Sequence, residues 1–271
     1  MSRRSGRRRY DPGGGHAFMK IMNRSGEPLA GHQLLASLEA EGVAFLSEAD
    51  GAEAFDIFRE TLRVYQHPDS AGAPWTAIQP VPGHRYSPGS GGFTRGALSP
   101  HTDRSRLDVP PSILCFLMVT AASGGGDSIL LDTKPLLSRY RRDVLARIGR
   151  DLQLSSSLQG WCQNVLSISD NGSVIVRYRD DEVARPRADS PVSAALLHDL
   201  RHPAAGALRF HLGPGEGYVV HNHRILHGRT SFSGLRRGVR MLFHVKESSP
   251  HAHLNDGFFI DHPHGESECT G

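Results

Sequence analysis

The apolar residues of this chain fall into short runs bounded by glycine, proline or polar residues, a pattern typical of strands. The strongest runs predict strands over residues 112–119, 128–132, 173–178, 208–212, 217–221, 225–228 and 239–245. Four stretches repeat their apolar residues at helical spacing and predict helices over residues 34–38, 55–65, 136–148 and 192–200. Many short strands with a few helices between them predict a mostly β fold with flanking helices and a double-stranded β-helix (jelly-roll) core.

The two ends of the chain differ in composition from its middle. Residues 1–15 combine five arginines with a proline and a run of glycines, and we expect them to form a disordered basic tail. Residues 16–250 are expected to form one domain, because β folds of this size often form a single unit. Residues 251–271 are expected to form a C-terminal tail, in which Phe258, Phe259 and Ile260 are apolar enough to dock on the body. The Pro- and Gly-rich stretch 72–100 predicts a lid or binding loop.

Composition narrows the class of partner. The net charge is +3, but without the five arginines of the first ten residues the chain carries 26 basic against 28 acidic side chains. Bulk charge therefore argues against nucleic-acid binding by the folded part. The apolar run 113–122 is too short to span a bilayer, so no membrane association is expected. Cys115, Cys162 and Cys269 form no paired motif, which favours a reducing, cytoplasmic location. The sequence does not indicate an oligomeric state.

The residues able to carry chemistry include two His-x-Asp triplets, at His67-Pro-Asp69 and at His101-Thr-Asp103. Only the second precedes a double proline and the most apolar predicted strand. Alternate residues of an extended backbone face the same side, so His101 and Asp103 can bind one metal ion together. A histidine from a distant strand would complete a face of two imidazoles and one carboxylate on Fe(II), leaving three coordination positions open.

Spacing alone leaves the distal histidine open. His221, His223 and His227 all stand in the segment 215–232, and their odd numbers would place all three on one face of a straight strand. Strand parity therefore does not choose among them.

Three separated blocks of the chain resemble the taurine dioxygenase and clavaminate synthase-like family of Fe(II)- and 2-oxoglutarate-dependent oxygenases. The blocks are Pro100-His-Thr-Asp103 with its following Pro110-Pro111, the stretch Gly124 to Asp132, and the stretch Asn222 to Arg229. Their occurrence together, in this order, is far more specific than any one block. The resemblance implies an oxygenase that uses Fe(II), 2-oxoglutarate and O2. It also implies the metal ligands His101, Asp103 and His227, with no other catalytic side chain.

The resemblance further implies a site for the far carboxylate of 2-oxoglutarate. In this family an arginine about a dozen residues after the distal histidine binds that carboxylate, since its guanidinium stays charged and fits a carboxylate fork. Arg240 matches best, and Arg237 is the second candidate. At least one of Arg236 and Arg237 is expected to be a solvated turn residue. The hydroxyl that assists the arginine corresponds to Ser128.

The substrate is the least determined part. Arg104, Arg224 and Arg229 are expected near the opening of the site, where they would suit an anionic group. The resemblance implies a small polar metabolite, such as an amino acid or a derivative, in natural-product biosynthesis. A carboxylate at Asp103 favours hydroxylation, desaturation or cyclisation over chlorination, because related halogenases have a small residue at this position.

Two alternatives stay open on the sequence. One is a zinc-dependent hydrolase that uses the same three ligands to activate water. The other is a non-enzymatic module that binds nucleic acid through the basic tail.

Overall fold

A computed structural model describes residues 19–81, 91–156, 158–202 and 206–261. The predicted basic tail 1–15, part of the predicted binding loop and the last residues of the predicted C-terminal tail lie outside these ranges. The helices are α1 (Leu34–Glu41), α2 (Gly51–Phe58), α3 (Lys134–Leu137), α4 (Arg142–Asp151) and α5 (Pro191–Arg201). Within the described ranges, no helix has both the length and the apolar character needed to cross a membrane.

Short strands supply most of the described secondary structure. In chain order they are β1 (Lys20–Met22), β2 (Pro28–Leu29), β3 (Val43–Ser47), β4 (Leu62–Val64), β5 (Thr76–Ile78), β6 (Leu98–His101), β7 (Ile113–Thr120), β8 (Gly124–Gly125), β9 (Ser128–Asp132), β10 (Leu152–Ser156), β11 (Trp161–Asn164), β12 (Leu166–Ile168), β13 (Val174–Val176), β14 (Arg185–Ala188), β15 (Ala207–Phe210), β16 (Gly217–His221), β17 (Ile225–Arg229), β18 (Phe232–Ser233) and β19 (Arg237–Val245).

Two antiparallel sheets form the core. The larger runs β2-β1-β3-β16-β7-β19-β4, with β5 also paired to β19, and the smaller runs β15-β9-β17-β6. Side chains from both sheets form one apolar cluster, which includes Leu114 and Leu242 from the larger sheet and Leu130 and Ile225 from the smaller. The sheets therefore pack face to face, which confirms the predicted jelly-roll core. In the described part of the chain they do not join into a closed barrel.

Helices cover the outer faces of both sheets. Alternate residues of the larger sheet, such as Val219 and Phe243, pack against Leu38 of α1 and Phe58 of α2. On the other side, Leu226 of the smaller sheet packs in a cluster with residues of α4 and α5. This layering follows from strand alternation, because each strand presents one apolar set inward and the other to the helices.

Two predicted elements differ from the structure. The helix predicted over residues 55–65 is wrong beyond Phe58, because residues 62–64 form β4 and Leu62 pairs with Val245 at the edge of the larger sheet. The pairing of β4 with β19 and the burial of Leu62 therefore outweigh the preference for a helix that the apolar spacing indicated. The helix predicted over 136–148 is divided into α3 and α4, because Arg141 adopts an extended conformation between them.

The packed core extends past residue 250, where the sequence analysis ended the domain. Leu254 and Phe258 are buried among core side chains, and Phe258 forms an antiparallel bridge with Val174. Phe259, by contrast, is exposed. Of the apolar residues expected to dock from this end of the chain, Phe258 is therefore buried and Ile260 packs, partly buried, against the same cluster.

Candidate active site

Neighbouring strands of the smaller sheet bring His101 and His227 together. β6 pairs with β17 so that the two residues are directly opposite, and the ladder is irregular just beyond them. Their ring centroids are 4.5 Å apart, and both side chains are buried. Gly228 permits this approach of the strands, because a Cβ atom there would lie 2.5 Å from the carbonyl oxygen of Leu98.

Both imidazoles are neutral at physiological pH, which is the form that binds metal ions. Burial, followed by the nearby Arg179, lowers the pKa of His101 to about 4, and burial with His101 lowers the pKa of His227. The Nδ1 atom of His101 lies 2.9 Å from the carbonyl oxygen of Ser99, which can only accept. Nδ1 must therefore donate, and Nε2 keeps a lone pair for a metal. The buried Nδ1 of His227 has no hydrogen-bond partner among the described residues.

Asn222 holds the backbone of Asp103 on both sides. Its side-chain oxygen accepts from the Asp103 N–H at 3.0 Å, and its side-chain nitrogen donates to the carbonyl oxygens of Asp103 at 3.1 Å and Pro111 at 2.8 Å. The intervening Thr102 bonds the backbone of Val176 and Tyr178. The segment carrying Asp103 is thereby tied to the turn between β16 and β17, which precedes His227.

The Asp103 carboxylate is an anion that faces Arg240. The Nη1 atom of Arg240 donates to Oδ2 of Asp103 at 2.8 Å. Burial raises the pKa of Asp103, but Arg240 and the two imidazoles outweigh that effect and lower it. The donor atoms of His101, Asp103 and His227 do not all lie within 4.8 Å of one another. All three can hold one ion only if these atoms come closer.

Two cavities meet at this cluster. The larger, of about 440 Å³, is lined by residues that include His101, Asp103, Arg104, Trp161, Arg179 and Arg240. The smaller, of about 60 Å³, shares His101 and Arg240 and extends to His227, Tyr218, Arg229 and Arg236. The larger volume is within the usual range for small-molecule sites. The cluster of His101, Asp103 and His227 therefore lies between an open cavity and a narrow inner one.

The three arginines that were weighed for 2-oxoglutarate differ in exposure and in partners. At least one of Arg236 and Arg237 was expected to be solvated. Arg236 is 4% exposed, and its guanidinium carbon lies 5.1 Å from the ring centroid of Phe116. Its buried Nε has no hydrogen-bond partner among the described residues. Arg237 is exposed and lines neither cavity, because adjacent residues of an extended chain face opposite sides. Arg240 lines both cavities but already donates to Asp103.

Arg224 is structural rather than part of a substrate site. It is 5% exposed, and its Nε and Nη2 atoms donate to the two carboxylate oxygens of Asp132 at 2.9 and 2.8 Å. Its Nη1 donates to the backbone oxygens of Glu39 and Ala40. These hydrogen bonds fix α1 to the start of β17. Arg224 lines neither cavity, contrary to the expectation that it lies near the opening of the substrate site.

Arg229 reaches the inner cavity but is occupied by backbone. Its guanidinium donates to the carbonyl oxygens of Gly91 and Thr94, at 3.0 and 2.7 Å, and to that of Gly96. Burial lowers its pKa to about 10, so it remains charged at neutral pH. Arg229 therefore holds the loop that forms one cavity wall, and it does not supply a free guanidinium to a substrate, contrary to the sequence expectation.

Arg104 does lie at the larger cavity, immediately after Asp103. Its φ of 59° is in the left-handed region, which is costly for a residue with a side chain and recurs at functional sites. Its Nε donates to the Tyr65 hydroxyl at 3.1 Å. Ser128 is buried in β9 opposite Arg229, two residues from Leu130, which faces His227. Strand alternation therefore places Ser128 on the same face of the smaller sheet as His227.

Sequence reasoning missed three residues of the larger cavity: His67, Trp161 and Arg179. His67 belongs to the triplet that was set aside, and its Nδ1 accepts from the backbone N–H of Asp69 at 3.1 Å. Burial, followed by the charge of Arg240, lowers its pKa to about 4. The repeated His-x-Asp triplet was the available signal. No local pattern indicated Trp161 or Arg179, because β11 and the loop after β13, both remote in sequence from His101, bring them to the cavity.

His221 and His223 point elsewhere. The segment is two strands separated by a turn, so parity along one straight strand does not apply. The Nε2 atom of His221 donates to the carbonyl oxygen of Leu254 at 3.0 Å, and that of His223 donates to the carbonyl oxygen of Pro110 at 2.7 Å. Both are buried structural residues, which leaves His227 as the histidine of this segment that faces His101.

With this geometry established, comparison with known proteins defines the class. Residues 15–159, more than half of the chain, match the family described as taurine catabolism dioxygenase TauD, TfdA family. The chain belongs to this dioxygenase family. The class expected from the sequence, an enzyme using iron, 2-oxoglutarate and dioxygen, is thereby confirmed at the level of the family, and the hydrolase alternative is set aside.

Two solved structures share the fold. An asparagine oxygenase, solved in complex with Fe(II), 3-hydroxyasparagine and succinate, is 19% identical with a TM-score of 0.63, covering 78% of each chain. PvcB from Pseudomonas aeruginosa is 12% identical with a TM-score of 0.57, covering 88% of this chain and 95% of that one. At these identities the likeness establishes the shared jelly-roll architecture.

Proposed function

We propose that this protein oxidises an unactivated C–H bond of a small, carboxylate-bearing amino acid or derivative, with Fe(II), 2-oxoglutarate and dioxygen. The observation that carries the proposal is the position of His101, Asp103 and His227 between an inner cavity with a buried arginine and an outer cavity with several more. Hydroxylation is the outcome we favour, with desaturation and cyclisation compatible with the same site.

His101, Asp103 and His227 would hold the iron. Two neutral imidazoles and an ionised carboxylate are the donor set of the facial triad, and the unpartnered Nδ1 of His227 is consistent with a missing ligand. When bound, Fe(II) would supply the activation of dioxygen for C–H oxidation. Asn222 would position Asp103, because it bonds both backbone groups of that residue.

Arg236 would bind the far carboxylate of 2-oxoglutarate, in place of Arg240 or Arg237. It is a buried cation in the inner cavity, beside His227 and Tyr218, with an unpartnered Nε. Its flat guanidinium is fixed over the Phe116 ring, so little side-chain freedom would be lost on binding. Ser128, on the same face of the smaller sheet as His227, stays a candidate for the assisting hydroxyl.

The outer cavity would select an anionic substrate. Arg104, Arg179 and Arg240 all line it, and the Nη2 and Nε of Arg240 are buried without partners among the described residues. Arg179 is paired with Asp181, which leaves Arg104 and Arg240 as the better candidates for a carboxylate. The asparagine oxygenase structure, with its 3-hydroxyasparagine, gives an amino-acid product in the same fold. Biosynthesis of a natural product in the cytoplasm would suit such a reaction.

Succinate release with Fe(II) and oxygen, measured across a panel of amino acids, tests this function. Each active compound should lose its effect when its α-carboxylate is replaced by a carboxamide of nearly the same size. Consumption of 2-oxoglutarate that no panel member stimulates would contradict the substrate class. Hydrolysis of a substrate with no 2-oxoglutarate consumed would contradict the oxygenase assignment itself.

A further inference from the structure

A second group of metal-binding side chains lies outside both cavities. Glu39 of α1 contacts two histidines of the segment that follows β19: its Oε2 lies 2.9 Å from Nδ1 of His251 and its Oε1 lies 3.0 Å from Nε2 of His253. One donor atom from each residue lies within 4.8 Å of the others. We propose that Glu39, His251 and His253 form a separate site for Zn²⁺ or a similar borderline transition-metal ion.

The donor set and spacing suit such an ion. Imidazole nitrogen and carboxylate oxygen are common zinc ligands at about 2.0–2.2 Å, so donor atoms around a tetrahedral ion stand roughly 3.3 Å apart. The carboxylate–imidazole contacts of 2.9 and 3.0 Å are within a few tenths of an ångström of this spacing, and all three donor atoms already lie within 4.8 Å of one another. Since Glu39 is exposed, water can complete the coordination.

The backbone that carries the ligands is already fixed. On the helix, Leu38 is fully buried next to Glu39, and beyond the histidines Leu254 is 1% exposed. The side chain of Asn255 bonds both the N–H and the carbonyl of Val245, at 2.9 and 2.8 Å. A metal ion would therefore bind a largely pre-organised site and lose little affinity to ordering of the chain.

The charges also favour a cation. Although burial raises the pKa of Glu39, the hydrogen bonds from His251 and His253 outweigh that effect and lower it, so the carboxylate is an anion at neutral pH. The guanidinium of Arg224 donates to the backbone oxygens of Glu39 and Ala40, and both carboxylate oxygens of Asp132 pair with it. That pairing reduces its repulsion of a bound ion.

An ion at this site would join α1 to the segment that follows β19. Leu254 lies next to His253 and accepts a hydrogen bond from His221, the last residue of β16. Metal binding would thereby stabilise the closure of the C-terminal segment over the larger sheet, at a place separate from the cavities. The site would be structural, and oxygenase turnover would not depend on its ligands.

Zinc stoichiometry of the full-length chain tests the proposal, measured by equilibrium dialysis with metal analysis. The iron site can also take Zn²⁺, so the wild-type chain should bind two equivalents. The His251→Ala/His253→Ala chain and the His101→Ala chain should each bind one. His32→Ala, which removes another exposed histidine, should still bind two. Equal zinc content in the wild type and the double variant would overturn the proposal.

Two further readouts separate a metal site from a folding defect. Added Zn²⁺ should raise the Tm of the His101→Ala chain by mass action, and this increase should disappear when the double substitution is added. Glu39→Gln keeps the size of the side chain and an oxygen acceptor, but it should weaken zinc binding because the charge is lost. Retention of full zinc affinity by a folded Glu39→Gln chain would contradict the assignment of Glu39.

Discussion

Replacing Arg236 with glutamine should weaken 2-oxoglutarate binding far more than it weakens iron binding. The substitution removes the one buried guanidinium of the inner cavity that has no backbone or carboxylate partner among the described residues, and it leaves the neighbouring His101 and His227 in place. A hydrogen bond to a charged group contributes about 1.5–3 kcal/mol, so a two-bond fork contributes roughly 3–6 kcal/mol. The dissociation constant of 2-oxoglutarate should therefore rise roughly 100- to 10,000-fold.

The assay is anaerobic titration of the Fe(II)-loaded chain with 2-oxoglutarate, followed by the charge-transfer absorbance of the chelate or by calorimetry. Arg237→Gln is the matched control, because it removes the same charge from the exposed neighbouring position and should leave the affinity unchanged. Arg240→Gln should chiefly raise the KM of the primary substrate. Unchanged 2-oxoglutarate affinity in Arg236→Gln, together with a large loss in Arg240→Gln, would refute the reasoning and return the role to Arg240.

Other substitutions test the metal site and the core. His101→Ala and His227→Ala should each abolish stoichiometric iron binding by metal analysis, since two remaining ligands hold a labile ion poorly; full iron occupancy would overturn the ligand set. Asp132→Asn should lower the free energy of unfolding by about 3–5 kcal/mol in urea denaturation, because it leaves Arg224 buried without its counter-ion; a loss near zero would contradict the structural role. Burial, partly offset by the hydrogen bond to Pro110, lowers the pKa of His223 from 6.5 to about 4 in the folded state, so only the unfolded chain binds this proton between those values. As the pH is lowered from 6.5 to about 4, this residue should therefore lower the free energy of unfolding by about 3 kcal/mol, and a folded His223→Gln chain should show a shallower slope; an identical slope would contradict the buried neutral imidazole.

The local patterns predicted the elements well where alternation or helical spacing coincided with the final packing. β9 and β16 have the predicted limits, and α5 lies where its apolar residues recur. The stretch after Phe58 was misassigned because Leu62 fits a helical face equally well, and only its pairing with Val245 makes it a strand residue. Short apolar runs carry no information about such a distant partner.

The sequence likewise identified some residues of the candidate site and left others undecided. The triplet containing His101 and Asp103 was recognisable because its two side chains are close in sequence and precede a double proline and a strongly apolar strand. Arg236 and Arg237 illustrate the opposite case, since two neighbouring arginines of the same chemistry have opposite environments. Which of the two is buried depends on the backbone conformation at the start of β19, and the residue types alone do not determine that conformation.

The sequence by itself determined the class of protein, the likeness to the dioxygenase family and a set of chemically suitable side chains, because these depend on residue type and local spacing. The tertiary structure decided which arginines are free. Arg224 and Arg229 are taken up by Asp132 and by backbone carbonyls, whereas Arg236 and Arg240 keep nitrogens at the cavities that no described residue bonds. A guanidinium can bind a ligand only with donors that the fold has not already satisfied, and those partners come from residues far away along the chain.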